Sequence, residues 1–233
     1  MIRFENVGMR YGTGEEVLHD ITFELEQGSL HFLTGASGAG KSTLLKLLYL
    51  AHRPSRGIIT FDGKDVTTAS RHELPEIRRR IGVVFQNFRL LPHMTAIENV
   101  MLPLRIAGAR EAEIREHAEE LLSWVGLTAS LNAKPSTLSG GEQQRLAIAR
   151  AVIAKPKLLL ADEPTGNVDP EMSKRLMHLF VELNRIGTTT IVATHESELV
   201  QMIQAPELRL EKGRLTRIEH RVENSYRPPE SGP

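Results

Sequence analysis

Leu30-His31-Phe32-Leu33-Thr34-Gly35-Ala36-Ser37-Gly38-Ala39-Gly40-Lys41-Ser42-Thr43-Leu44-Leu45-Lys46 is the stretch on which the fold turns. The apolar run from Leu30 to Thr34 reads as a buried strand, Gly35 to Gly40 as a glycine-rich turn, and Lys41 to Leu50 as a helix. Strand, glycine loop and helix in that order satisfy the phosphate-loop pattern in full. Glycines let backbone amides approach an anion, the free amides and dipole of the helix start favour negative charge, and Lys41 neutralises it. The expected nucleotide contacts are Gly35, Ala36, Ser37, Gly38, Ala39, Gly40, Lys41, Ser42 and Thr43, with the Ser42 hydroxyl as a ligand for Mg2+.

Outward from that loop, apolar residues alternate at Ile2, Phe4 and Val7 and again at Ile21, Phe23 and Leu25, which predicts an early antiparallel sheet of half-buried strands. Short apolar runs at Ile81 to Phe85, Leu158 to Ala161 and Thr190 to Ala193, each with helical segments around it, predict a mainly parallel sheet covered on both faces. The fold class is therefore α/β. No strand pattern occurs between Asn87 and Lys155, where Thr95 can cap a helix with Glu98 and Glu111 to Val125 has helical spacing. Residues 87–155 read as a helical subdomain inserted into the core of a single domain, 1–222. The stretch 223–233 carries three prolines and almost no apolar residues, so a flexible tail is expected there.

Composition narrows the partners. Basic and acidic residues balance at 29 each, so the chain lacks the broad basic field of a dedicated nucleic-acid binder, and no nucleic-acid partner is expected. The absence of cysteine excludes disulfides, thiolate metal sites and cysteine nucleophiles, and fits a reducing, cytoplasmic compartment. No charged-then-apolar leader opens the chain, and the longest apolar stretch, near Leu44 to Ala51, is broken by Lys46. The expectation is a chain that neither spans a membrane nor is secreted by that route.

Two further motifs carry chemistry. Leu158-Leu159-Leu160-Ala161-Asp162-Glu163 is an apolar strand ending in paired carboxylates, with Asp162 the candidate Mg2+ partner and Glu163 the candidate general base. Acids at a strand end are often only solvated; the upstream phosphate loop gives these a task. Leu138-Ser139-Gly140-Gly141-Glu142-Gln143-Gln144-Arg145 opens a helix running through Ile148 and Ala151, and such an end offers free amides and positive dipole to an anion. Alone, a Ser-Gly-Gly start is a cap. Here one chain carries two phosphate-seeking helix starts, and a nucleotide cradled by the first leaves the second without a ligand unless a second chain's nucleotide supplies it.

With these three motifs together, the chain resembles the ABC transporter ATPases over about residues 1–218, the Ser139 to Arg145 motif matching the family's signature. The resemblance implies a phosphate-loop ABC ATPase core and a head-to-tail homodimer formed on ATP, in which Ser139, Gly140, Gly141 and Glu142 contact the ATP of the other chain. It also implies that Tyr11 stacks on adenine, that Gln86 links Mg2+ to the helical subdomain, that Asp169 belongs to a dimer loop, and that His195 is a switch histidine. Glu163, His195 and Gln86 would then form the catalytic set. Tyr11 as a plain packing aromatic stays open, and His195 is one of nine histidines. Arg78, Arg79 and Arg80 read as a solvated helix end, and Met94, Met101 and Met177 as packing residues. The phosphate-loop flanks, Arg78-Arg79-Arg80-Ile81-Gly82-Val83-Val84-Phe85-Gln86, and Asp162-Glu163-Pro164-Thr165-Gly166-Asn167 are most similar to the cell-division branch of the family. There the ATPase is expected to act through an integral membrane subunit, on the inner face of the bacterial cell membrane, to control cell-wall hydrolases. Branches serving lipoprotein release and macrolide export share the signature and Thr165-Gly166-Asn167, and Val168 stands where leucine is more usual before Asp169. A soluble ABC ATPase acting on DNA or ribosomes would ordinarily show a long coiled-coil insert or tandem cassettes, and neither occurs.

Overall fold

A computed structural model describes residues 1–219; the tail expected at 223–233 lies outside them. The chain forms a four-stranded sheet of order β2-β1-β4-β5 and a six-stranded sheet of order β10-β9-β3-β8-β7-β6. In the first, β1 (Ile2–Arg10) pairs antiparallel with β2 (Glu16–Leu25) and β4 (Arg56–Phe61), and β4 pairs with β5 (Lys64–Asp65). In the second, β3 (Leu30–Thr34), β6 (Ile81–Val84), β7 (Leu158–Asp162), β8 (Thr189–Ala193) and β9 (Glu207–Glu211) run parallel, and β10 (Arg214–Ile218) closes the edge antiparallel to β9. The expected α/β class, antiparallel N-terminal sheet and mainly parallel second sheet are all found. The strands β4, β5, β9 and β10 were not anticipated.

The inner parallel strands β3, β7 and β8 are mostly apolar because both of their faces are buried. Leu158, Leu160, Ile191 and Ala193 join a core with the antiparallel sheet and the leucines of α1 (Lys41–Leu48). Their neighbours Leu159, Ala161 and Val192 face the other way, onto Leu176, Met177 and Phe180 of α6 (Pro170–Arg185). Period-two alternation thus sorts one short strand into two cores. α2 (Leu74–Arg78) leads into β6, and α7 (Ser197–Ile203) lies between β8 and β9.

A third core belongs to α3 (Ala96–Ile106), α4 (Glu111–Trp124) and α5 (Gly140–Val152), through Ile97, Val100, Ile114, Ala118, Leu122 and Leu146. No strand interrupts residues 87–155. Thr95 caps α3 as its sequence suggests: the hydroxyl accepts from the Glu98 amide, and the Glu98 carboxylate accepts from the Thr95 amide at 2.7 Å. Met101 and Met177 are buried packing residues. The arginine run does more than face solvent, since Arg78 donates to the Leu50 carbonyl at 2.7 Å and Arg80 pairs with Glu76 at 2.8 Å. Among the described residues no helix is long and apolar enough to cross a membrane.

Candidate active site

The loop between β3 and α1 lies at the carboxyl ends of the parallel strands, where crevices form in such sheets. Two of its glycines are dictated by space as well as by dihedral. Gly35 sits at φ 142°, and a Cβ there would stand 2.2 Å from the Leu210 carbonyl oxygen of β9. Gly40, at φ 108°, would bring a Cβ within 2.8 Å of Leu18. Helix α1 then begins with no side-chain cap and no acidic residue in its first turn, so its leading amides stay available. Lys41 curls back over the loop, its Nζ donating to the carbonyls of Gly35 at 2.6 Å and Ala36 at 3.2 Å.

A cleft of about 690 Å³ opens beside this loop. It gathers Gly35, Ala36, Ser37, Gly38, Gly40, Lys41, Ser42 and Thr43 with Gln86, Asp162, Glu163 and His195. Residues separated by more than 150 positions in sequence therefore share one concave surface. Ala39 is buried under the loop and does not line the cleft. Tyr11 stands outside the lining. Its hydroxyl lies 3.2 Å from Thr43 Oγ1, its ring meets His52 edge-on at 5.5 Å, and Lys46 Nζ is 5.8 Å from the ring centroid.

The acidic pair is placed by β7. Asp162 ends the strand opposite Ala193 of β8, and its carboxyl is pushed above the ordinary range by burial and then by the neighbouring Glu163, with Lys41 opposing both. Glu163 turns out of the strand at φ 50° while its amide donates to the Ala193 carbonyl at 2.9 Å. That left-handed backbone in a non-glycine residue costs about 1–2 kcal/mol and swings the side chain toward β8. There Oε1 meets His195 Nδ1 at 2.9 Å, while Oε2 is buried with no partner. The hydrogen bond and charge of Glu163 raise the His195 pKa above the usual 6.5.

The helix start at Ser139 behaves differently. Its hydroxyl accepts from the Glu142 amide, and the Glu142 carboxylate accepts from the Ser139 amide at 2.9 Å and the Ser139 hydroxyl at 2.7 Å. Those bonds, the Ser139 amide first, hold the Glu142 carboxyl below its usual range. Gly140 has open space around it, and a Cβ on Gly141 would lie 3.1 Å from the Asn167 carbonyl oxygen. None of Ser139, Gly140, Gly141 and Glu142 lines the cleft of their own chain. Asp169 caps α6, accepting from the Met172 amide at 2.9 Å, and also lies outside the lining.

With the phosphate loop, acidic pair and second helix start in place, the comparison with known proteins is direct. A family model described as ABC transporter matches residues 18–166. The chain belongs to the ABC transporter family. It is an ATP-hydrolysing nucleotide-binding subunit of that family, as its motifs imply. It is 48% identical over 215 residues to the cell division ATP-binding protein FtsE of Escherichia coli K12, covering 92% of this chain and 97% of that one. It is 40% identical over 223 residues to FtsE of Bacillus subtilis, covering 96% and 98%. Among solved structures, the ATP-binding cassette MJ0796, a dimer in a post-hydrolysis state bound to ADP and Pi, superposes with a TM-score of 0.89 at 35% identity, covering 95% of this chain and 99% of that one.

Sequence reasoning missed several residues of the ABC site. Val17, Gly166 and Asn167 line the cleft. Glu196, next to His195, accepts a hydrogen bond from the buried Thr165 hydroxyl at 2.5 Å, tying the loop after β8 to the turn that carries Glu163. Its position beside His195 at a strand end was the available signal.

Proposed function

We propose that the chain is the ATPase of a cell-division complex: it binds ATP with Mg2+, pairs head to tail with a second copy, and drives an integral membrane subunit resembling FtsX that controls cell-wall hydrolysis. The observation that carries the dimer is the helix start at Ser139, built for an anion yet absent from the cleft of its own chain. The division role rests on the extent of the FtsE likeness, and it puts the protein on the cytoplasmic face of the cell membrane through its partner.

In this reading the α1 amides and Lys41 hold the phosphates, and Lys41 exchanges its bonds to Gly35 and Ala36 for phosphate oxygens. For a magnesium ion the cleft offers the Ser42 hydroxyl, the Asp162 carboxylate and the Gln86 carboxamide, hard oxygens of the kind Mg2+ takes beside phosphate and water. The bound ion would neutralise charge developing on the phosphates. Glu163 has one oxygen tied to His195 and one buried without a partner. The Glu163 carboxylate is the acceptor for the attacking water, and it orients that water in line with the γ-phosphate and takes its proton. His195, whose charged form Glu163 favours, faces the γ-phosphate and registers its presence. Tyr11, at the edge of the site, supplies an aromatic face for adenine. Asp169 and the signature residues complete the site across the dimer.

Affinity isolation from detergent-solubilised membranes tests the assignment. Recovery of an FtsX-like subunit is the expected result. Recovery of a lipoprotein-release or macrolide-export subunit would move the chain to another branch, leaving its ATPase chemistry in place.

A further inference from the structure

Two consecutive non-glycine residues just after Gln86 adopt left-handed backbone: Phe88 at φ 56° and Arg89 at φ 48°. Such a conformation is costly for any residue with a Cβ, and for a bulky aromatic it is rare. It persists only where the surroundings over-determine it. The agent here is Arg150, in the last turn of α5. Its half-buried guanidinium donates to the Phe88 carbonyl at 2.7 Å, to the Arg89 carbonyl at 2.7 Å and to Asn99 Oδ1 at 3.4 Å. These acceptors are uncharged oxygens, so the cation is spent on backbone shape.

Asn99, fully buried, braces the same loop from α3. Its Oδ1 accepts from the Leu91 amide at 2.9 Å, and its Nδ2 donates to the carbonyls of Leu91, Met94 and Thr95 at 3.0 to 3.3 Å. From the far side, the Arg89 guanidinium covers the Phe85 ring at 4.2 Å. The loop leaving Gln86 is thus bolted to the distal end of the helix whose other end is Ser139.

Geometry gives that bolt leverage. Ser139 and Arg150 are eleven positions apart, or roughly 16 Å along the helix axis. A tilt of about 10° at the clasp would move Ser139 by roughly 3 Å, the length of a hydrogen bond. We propose that Arg150 is a positioning residue for the shared ATP site: by clamping Phe88 and Arg89 it sets the angle at which α5 presents Ser139 to the nucleotide of the other chain. This rests on the head-to-tail reading above and assigns the residue that holds the signature helix in register with the Gln86 loop.

Arg150→Lys is the test, because lysine keeps the charge and loses the fork that spans two carbonyls. In a Glu163→Gln background, where unhydrolysed ATP holds the dimer, light scattering with ATP and magnesium should show about tenfold more protein needed for dimerisation. ATP affinity of the monomer and the melting temperature should hold within about twofold and about 3 °C respectively. Adding Phe88→Gly, which removes the left-handed penalty at that position, should restore dimerisation. Unchanged dimerisation in Arg150→Lys, or no rescue by Phe88→Gly, overturns the proposal. Should Arg150→Lys melt early, hydrogen exchange of the otherwise unaltered Glu163→Gln protein decides: on ATP the amides of Phe88 to Leu91 and of Gly140 to Gln144 should change protection together, and independent change overturns the clasp. If Glu163→Gln itself stays monomeric with ATP, the head-to-tail reading fails first.

Discussion

Helices α1 and α5 meet the problem of free amides at a helix start in opposite ways. Helix α1 starts from Gly40 with no cap and no acid in its first turn. Helix α5 starts from Ser139 with a closed capping box that its own Glu142 completes. An uncapped start leaves donors unsatisfied and must be held by the fold, here by packing against Leu18 and Leu210 that only glycine permits. A capped start is content alone. The contrast fits the proposed reading, in which the phosphate loop binds nucleotide in the single chain and the helix at Ser139 acquires its ligand only when a second chain brings one.

The largest break in this division of labour is expected at the chemical step. Glu163→Gln should lower ATP turnover by about 10²–10⁴-fold, the usual weight of a general base, with ATP affinity kept. Steady-state hydrolysis near the unaltered rate would remove Glu163 from that role. Next comes Lys41→Ala, which strips the charge from the uncapped start and should weaken ATP binding by about 10–100-fold, the range for a lost charged hydrogen bond. A nucleotide titration with unchanged affinity would contradict it.

The pair between the two loops gives a pH signature. Because Glu163 raises the His195 pKa above 6.5 in the folded chain, whatever stability the charged pair contributes is fully present below pH 6.5 and fades as pH rises through the folded-state value. Titration of the His195 ring by NMR should give a value above 6.5 that falls in Glu163→Gln; no fall would mean that the contact at 2.9 Å is not made in solution. The smallest effect belongs to the capped start. Glu142→Gln keeps an acceptor for the Ser139 amide and removes a negative charge near the second phosphate site, so dimerisation on ATP should tighten by about two- to fivefold. Weaker dimerisation would mean that the carboxylate itself is needed.

What was legible in sequence follows the same physics. Strands β3, β7 and β8 could be read because both faces are buried and each carries a short, mostly apolar run, and α3 because Thr95 and Glu98 spell its cap. Strands β9 and β10 were missed because they lie toward the sheet edge, where Glu207, Arg209 and Glu211 alternate with leucines and look like solvated surface. Glu207 is in fact buried, its carboxylate taking the Thr34 hydroxyl and Arg209. The phosphate loop and acidic pair were legible because their chemistry is local. The Thr165–Glu196 bond and the Arg150 clasp were not, since each joins segments 31 to 62 residues apart that only the packed sheet and helices bring together.

The central claim is that the helix start at Ser139 serves a nucleotide held by another copy of the chain. Ser139→Arg replaces a small donor by a bulky cation at that contact, and in the Glu163→Gln background it can be followed by light scattering with ATP and magnesium. The account predicts ATP-dependent dimers for Glu163→Gln, none for the double variant, and ATP affinity of the monomer unchanged in both. Equal dimerisation of the two proteins would place Ser139 outside the interface and contradict the shared site.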